Sequence, residues 1–145
     1  MPAAEHSVVI RTSAHEVFVV VADGTTAPRW RSGVLDVARV SGDGLGAVYR
    51  QGVKGPGGRR IAADYEVTAF EPDRTIGFKA IAGPVRPVGE YRFSSTPEGT
   101  LVTMTLRAEV SGLKGLLMGR AVQRTMDAEV HALDRLKAVL ETEGH

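Results

Sequence analysis

Glu129 stands between Met126 and Leu133 in a C-terminal segment where Val122, Met126, Glu129, Leu133, Leu136 and Leu140 recur at 4-3-4-3-4 spacing. That spacing lays all six on one face of a helix. A carboxylate on an apolar seam either reaches water at the seam's edge or faces the interior, where burial disfavours its charge and suits it to general acid or base work. Tyr49, Tyr65 and Tyr91 carry hydroxyls that can orient a carbonyl or a phenol, although a tyrosine is commonly a core ring with a hydrogen-bonded tip. Gln51 follows Tyr49 by two residues, so on a strand the two share a face. An inward amide there needs a partner. Glu129, Tyr65 and Gln51 are the candidate catalytic residues on these grounds.

Other chemistries lack their residues. The chain has no cysteine, which excludes a thiolate nucleophile, a Cys-bound metal and a disulfide scaffold. His6, His15, His131 and His145 form no HxxxH or HxxE pattern. Glu129 and His131, two apart, would point about 160° from each other on a helix. No metal and no cofactor are expected, and His15, in a capping turn, is expected in solvent. None of Ser7, Ser13, Ser32, Ser41, Ser94, Ser95 and Ser111 lies in a Gly-x-Ser-x-Gly elbow. Gly42-x-Gly44-x-Gly46 resembles part of a dinucleotide loop but joins two predicted strands instead of opening a helix.

Two basic groups read as solvated charges, with contact to an acidic ligand or partner as the functional alternative: Lys54, Arg59 and Arg60 at a Gly-rich hairpin, and Arg29 and Arg31 on either side of Trp30. Lys+Arg is 18 against Asp+Glu 17, a net charge of +1, so no field of one sign is available to hold a polyanion. The aromatic residues are predicted to face inward and are not interleaved with the charges as a nucleic-acid reader requires.

These residues must be positioned by an ordinary globular framework. A chain of 145 residues with 43% hydrophobic and 24% charged residues is large enough to bury a core and is read as one domain, 1–145. The N-terminal residues show no basic-then-apolar signal, and no run approaches the roughly 18 apolar residues of a membrane span. A cytoplasmic location without membrane insertion is the expectation.

Residues 6–12 read as a strand. Ser13-Ala14-His15-Glu16 is a capping box, predicting a helix over about 14–22. Its valines are weak helix formers, so packing must hold it. Pro28 suits the first turn of a second short helix through Trp30 and Arg31. From Val34 onward the period is two, with strands predicted at about 34–40, 47–53, 60–70, 75–81, 88–95 and 101–110. Gly42-Asp43-Gly44 and Gly55-Pro56-Gly57-Gly58 supply hairpin turns. Glu71-Pro72-Asp73-Arg74 and Thr96-Pro97-Glu98-Gly99 read as type I turns. Short connections imply an antiparallel meander. The segment from about 113 to 143 lacks proline and reads as one helix roughly 45 Å long, enough to cross the sheet.

Strand parity names an inward face. It comprises Ile61, Ala63, Tyr65 and Val67; Ile76, Phe78 and Ala80; Tyr91 and Phe93; then Val102, Met104, Leu106, Ala108 and Val110. On the strand at 47–53, Tyr49 and Val53 are favoured inward, with Gln51 beside them. Asp64, Glu66, Lys79, Glu90, Arg92 and Arg107 fall on the polar face and can pair across strands. Trp30, Tyr49, Tyr65, Phe78, Tyr91, Phe93, Met104, Leu117, Val122 and Met126 belong to the predicted core between the apolar face and the long helix, with Met118 a further core methionine.

The element order is strand, capped helix, short helix with Trp, meander, long helix. Specific stretches accompany it: Ile10-x-x-Ser13-Ala14-x-Glu16-Val17-Phe18, Asp23 with Pro28-x-Trp30, Gly46-x-x-Tyr49-Arg50, and Glu66-Val67-Thr68-x-Phe70-Glu71-Pro72. Gly99-Thr100 and Leu133-x-x-Leu136-Lys137-x-x-Leu140-Glu141 complete the set. Together, over nearly the whole chain, these resemble the SRPBCC superfamily, START-like and polyketide cyclase-like. The resemblance implies an α+β helix-grip fold: an antiparallel sheet of about seven strands wrapped on a long C-terminal helix, with two short helices after the first strand. It also implies a pocket between sheet and helix in which core and pocket wall are the same residues, so the predicted ligand contacts are Trp30, Tyr49, Tyr65, Phe78, Tyr91, Phe93, Met104, Leu117, Val122 and Met126; methionine adapts to varied ligands. The expected function is binding of a small hydrophobic molecule (a lipid, polyketide or aromatic metabolite) by a monomer or homodimer. The alternatives are a polyketide cyclase/dehydratase-like enzyme and a ligand-free interaction module. Fold alone does not choose among them.

Overall fold

The computed structural model describes residues 2–83, 85–108 and 112–142; the side chains of Pro56 and of residues 112–118 lie outside that description. The chain begins with β1 (Ala3–Ile10) and enters α1 (Ala14–Ala22). Ser13 caps this helix: its Oγ accepts from the Glu16 N–H at 3.2 Å. The Glu16 carboxylate is engaged by the Thr12 hydroxyl. Val17, Phe18 and Val21 face the core, and this packing holds a helix whose β-branched residues give it little intrinsic stability.

The second short helix is a 3-10 turn, Gly24–Arg29, and Pro28 falls near its end, not in its first turn. Asp23 caps it, Oδ1 accepting from the Thr25 N–H at 3.0 Å. The Ala27 carbonyl then accepts from both Trp30 N–H (3.1 Å) and Arg31 N–H (2.7 Å). Trp30 and Arg31 are thereby fastened in the loop that leads into the sheet.

Among the described residues, eight strands form one antiparallel sheet: β1, β2 (Val34–Ser41), β3 (Val48–Lys54), β4 (Arg60–Ala62), β5 (Tyr65–Glu71), β6 (Thr75–Ala80), β7 (Val88–Thr96) and β8 (Gly99–Arg107). The order is β1-β8-β7-β6-β5-β3-β2, with β4 paired to β3. The predicted meander is correct in kind. One strand expected over 60–70 is two, because the chain leaves the ladder at Ala63 and Asp64. There the Gln51 N–H donates to Asp64 Oδ1 at 3.1 Å, and the Ala63 N–H donates to the Gln51 carbonyl at 2.8 Å. Asp64, expected in a charge pair on the polar face, instead replaces a ladder acceptor. A bulge between Val67 and Ala69 then shifts the register. It turns Phe70 inward, where its ring meets Phe18 edge-on at 5.3 Å. The turn at 71–74 closes with the Arg74 N–H on the Glu71 carbonyl. Asp73 has φ 63, so this turn has the left-handed third residue of type II and not the expected type I.

The predicted single C-terminal helix is divided into α2 (Gly112–Val130) and α3 (Ala132–Thr142). At the break the His131 ring donates through Nδ1 to the Asp127 carbonyl at 2.7 Å, while the His131 backbone N–H reaches the same oxygen at only 3.4 Å. A side chain inserted into the i to i−4 ladder is a recognised cause of a helix kink. The same ring stacks on His6 of β1 at 4.1 Å. The predicted seam otherwise stands: Val122, Met126, Leu133, Leu136 and Leu140 are buried, together with Val130. They pack with Ile10, Phe18, Tyr91, Phe93, Val102, Met104 and Leu106 in one continuous core between helix and sheet. No helix among the described residues is long and apolar enough to cross a membrane.

Candidate functional site

The inner face of the sheet carries a row of rings. Tyr49 of β3 stacks on Tyr65 of β5 (centroids 5.0 Å apart, planes at 13°). Tyr65 meets Phe78 of β6 at 6.1 Å, Phe78 meets Tyr91 of β7 at 5.8 Å, and Tyr91 meets Trp30 edge-on at 6.1 Å. Alternation puts the four strand residues on one face; the antiparallel register sets Tyr49 directly opposite Tyr65 and brings Tyr65, Phe78 and Tyr91 into successive diagonal contacts. Gly24, at the start of the 3-10 turn, lets the turn close on this row. A Cβ there would run into the Tyr65 hydroxyl and stand 2.8 Å from the Tyr49 ring.

A charged group lies within this aromatic setting. Arg31 and Glu129 form an ion pair between Nε and Oε1, with side chains only 16% and 25% exposed. The Arg31 Nη1 donates to Gln51 Oε1 at 3.0 Å, and the Gln51 Nε2 donates to the Ala63 carbonyl at 3.3 Å. The inward amide that β3 parity requires thus has partners on both sides. Burial opposes the Arg31 charge. Glu129 beside it, with Tyr91 and Tyr65 beyond, more than restores that charge and holds the guanidinium above its ordinary value. Burial also pushes the Tyr65 and Tyr91 phenols well above the usual tyrosine range, although Arg31 pulls them partly back. Both therefore stand as neutral hydroxyls. Trp30 is 3% exposed, and its indole Nε1 finds no acceptor among the described residues.

Glu129, Gln51 and Tyr65, the three candidate catalytic residues, are therefore brought together around a fourth residue, Arg31, whose sequence context reads as a solvated charge. Arg31 is largely covered because the Ala27 carbonyl bonds turn the loop inward. The sequence signal for it is indirect. An amide and a carboxylate on facing apolar surfaces both call for a donor between them, and Arg31, next to the buried Trp30, is available. Among the predicted ligand contacts, Trp30, Tyr91, Phe93, Met104, Val122 and Met126 share the main core, with Phe78 packed against it. Tyr49 belongs to a smaller adjoining cluster with Tyr65. The side chains of Leu117 and Met118 lie outside the described residues.

The other basic group behaves as expected. Arg60 makes a two-point bond to Asp36, both contacts 2.9 Å, on the exposed side of the sheet. His15 is exposed and pairs with Asp73 at 2.9 Å. Two open concavities are lined by described residues, one by Glu5, Thr68, Gly77, Glu90 and Thr105, the other by Glu71, Arg74, Arg92 and Thr103. Both lie on the outer, polar face, away from the buried ion pair.

Known proteins supply a context. A family model described as polyketide cyclase / dehydrase and lipid transport matches residues 1–141. An uncharacterized protein of Mycobacterium tuberculosis is 28% identical over 111 residues, which cover 74% of this chain and 65% of that protein; the chain thus spans about two thirds of the length of the curated relatives it matches. Among solved structures, a protein of Thermus thermophilus aligns with a TM-score of 0.81 at 21% identity, covering 99% of this chain and 100% of that one. The di-domain ARO/CYC StfQ from the steffimycin biosynthetic pathway aligns at 0.80 and 15% identity, over 97% of this chain and 50% of StfQ. A START superfamily protein from Mycobacterium smegmatis aligns at 0.72 and 17% identity, over 97% and 94%. At these identities the structural likeness concerns the fold.

Proposed function

The chain belongs to the polyketide cyclase/dehydrase and lipid transport family, and on that premise we propose that it acts as one domain binding a small hydrophobic molecule between sheet and helix. The observation that carries the reading is the Arg31–Glu129 pair, set with Gln51 among Tyr65, Tyr91 and Trp30. Charges are expensive to bury, and a core needing only stability is served as well by apolar residues. Ligand sites, in contrast, combine apolar walls with a few convergent polar groups. The ligand's rings or chain lie against the aromatic row, and its polar end lies by Arg31. A cytoplasmic location fits a chain without cysteine.

Trp30 is the single tryptophan, so its emission reports on the site. Titration with 2-acetylnaphthalene is expected to change that emission saturably and to raise the unfolding temperature. If neither changes up to the solubility limit of the probe, the reading fails.

The same cluster supports a second reading, a cyclase/dehydratase-like enzyme. In it Tyr65 and Tyr91 donate to a substrate carbonyl, Gln51 and Arg31 orient it, and Glu129 moves a proton. Turnover of a polyketide-like substrate that survives Glu129→Gln, Tyr65→Phe and Gln51→Leu alike would remove that assignment.

A further inference from the structure

We propose that Glu129 is a specificity-determining residue: by neutralising Arg31 it reserves the interior for ligands whose polar end is an uncharged oxygen acceptor, such as a ketone, and refuses carboxylates of the same shape. This rests on the binding reading above and adds the class of ligand to it.

A lone arginine in an apolar interior is a receptor for acids, because its planar fork takes a carboxylate through two parallel N–H bonds. Arg31 is not in that condition. Its Nε is covered by Glu129 Oε1 in the ion pair, and its Nη1 donates to Gln51 Oε1. Each two-donor edge of the fork therefore already has one member committed. The pair is also neutral as a whole. An entering carboxylate would shed its water, find no uncompensated cation, and face the Glu129 charge at close range. A ketone oxygen carries no such cost.

The remaining groups point to the same class. The Trp30 indole can only donate, and it is buried without an acceptor among the described residues, a state that a ligand acceptor would relieve. Tyr65 and Tyr91 present neutral hydroxyls, held protonated by burial. The site thus offers an indole N–H, uncommitted guanidinium N–H groups and phenol O–H groups around an already balanced charge.

The test compares two probes of nearly equal shape, 2-acetylnaphthalene and 2-naphthoate, by Trp30 emission at neutral pH. The wild-type protein is expected to bind the ketone at least about tenfold more tightly than the acid. Glu129→Gln frees the Arg31 charge and is expected to reduce that preference by about tenfold or to reverse it. Equal binding of acid and ketone by the wild-type protein overturns the proposal while leaving the binding reading intact. An unchanged ratio in a folded Glu129→Gln protein, judged by circular dichroism, overturns it as well. If that variant does not fold, the wild-type ratio decides. If neither probe binds, both this inference and the reading beneath it are overturned.

Discussion

Arg31 and Glu129 meet across the interior: the guanidinium comes from the loop that enters the sheet, the carboxylate from the last turn before the kink of the long helix, and the two form an ion pair between Nε and Oε1. The pair ties the two layers together where the aromatic row crosses the sheet. Its energetics follow from where it lies. Removing one partner strands the other charge in a poorly hydrated place, whereas removing both leaves only a change of packing.

Arg31→Met is accordingly expected to destabilise the protein by about 2–4 kcal/mol, and Arg31→Met combined with Glu129→Met to recover most of that loss. Urea unfolding of the wild type, both single variants and the double variant closes the cycle. Additive losses in the double variant would mean that the two charges do not depend on each other.

Gly24→Ala tests how closely the 3-10 turn sits on the tyrosine pair. The new methyl group meets the Tyr65 hydroxyl and the Tyr49 ring, and overpacking of this kind costs about 1–3 kcal/mol. Adding Tyr65→Phe removes the oxygen in the way and should restore part of the stability. Equal midpoints for wild type and Gly24→Ala would show that the turn moves aside freely.

Leu136 is fully buried on α3, with no exposed surface. Leu136→Ala should cost about 2–5 kcal/mol, the transfer and cavity terms together. Arg124→Ala, on the solvent side of α2, should fall within about 0.5 kcal/mol of wild type. A shift of similar size from both would contradict this assignment of the helix faces.

Alkaline pH should unfold the protein through its buried phenols. The ordinary tyrosine value is 10.0, and Tyr65 and Tyr91 are both raised above it. Above about pH 10 the folded state holds protons that the unfolded chain releases. Stability is therefore fully present below that pH and falls above it, by up to about 1.4 kcal/mol per pH unit for each group. Tyrosinate absorbance recorded beside far-ultraviolet circular dichroism checks this. Two phenols should ionise together with the loss of structure, and their ionisation in a protein still folded would refute the burial.

Much of this arrangement is legible in the residues. Ser13 before Ala14 announces α1 because a hydroxyl at that position satisfies an otherwise orphaned N–H. Period-two alternation at Ile76, Phe78, Tyr91, Phe93, Val102 and Met104 names the inner face because a strand turns its side chains by half a revolution per residue. The same rule places Gln51 inward. What escapes such reading are local departures from the ladder. The breaks at Ala63–Asp64 and Val67–Ala69 depend on which backbone or carboxylate oxygen reaches an N–H, and no alternation pattern records that. The kink at His131 depends on a ring that stacks on His6 of the first strand, at the other end of the chain.

Periodicity and capping over short stretches account for the α+β class, most of the element order, most of the inward faces and three of the four residues of the polar cluster. The tertiary structure decided that Glu129, Gln51 and Tyr65 share one place, and that Arg31 completes it. Local patterning cannot see whether a charge beside a tryptophan points to water or to a carboxylate in a distant part of the chain. Only the packing of the loop beneath the helix brings the two within bonding distance, and with that contact Glu129 changes from a carboxylate on an apolar seam into the counter-ion of a buried arginine.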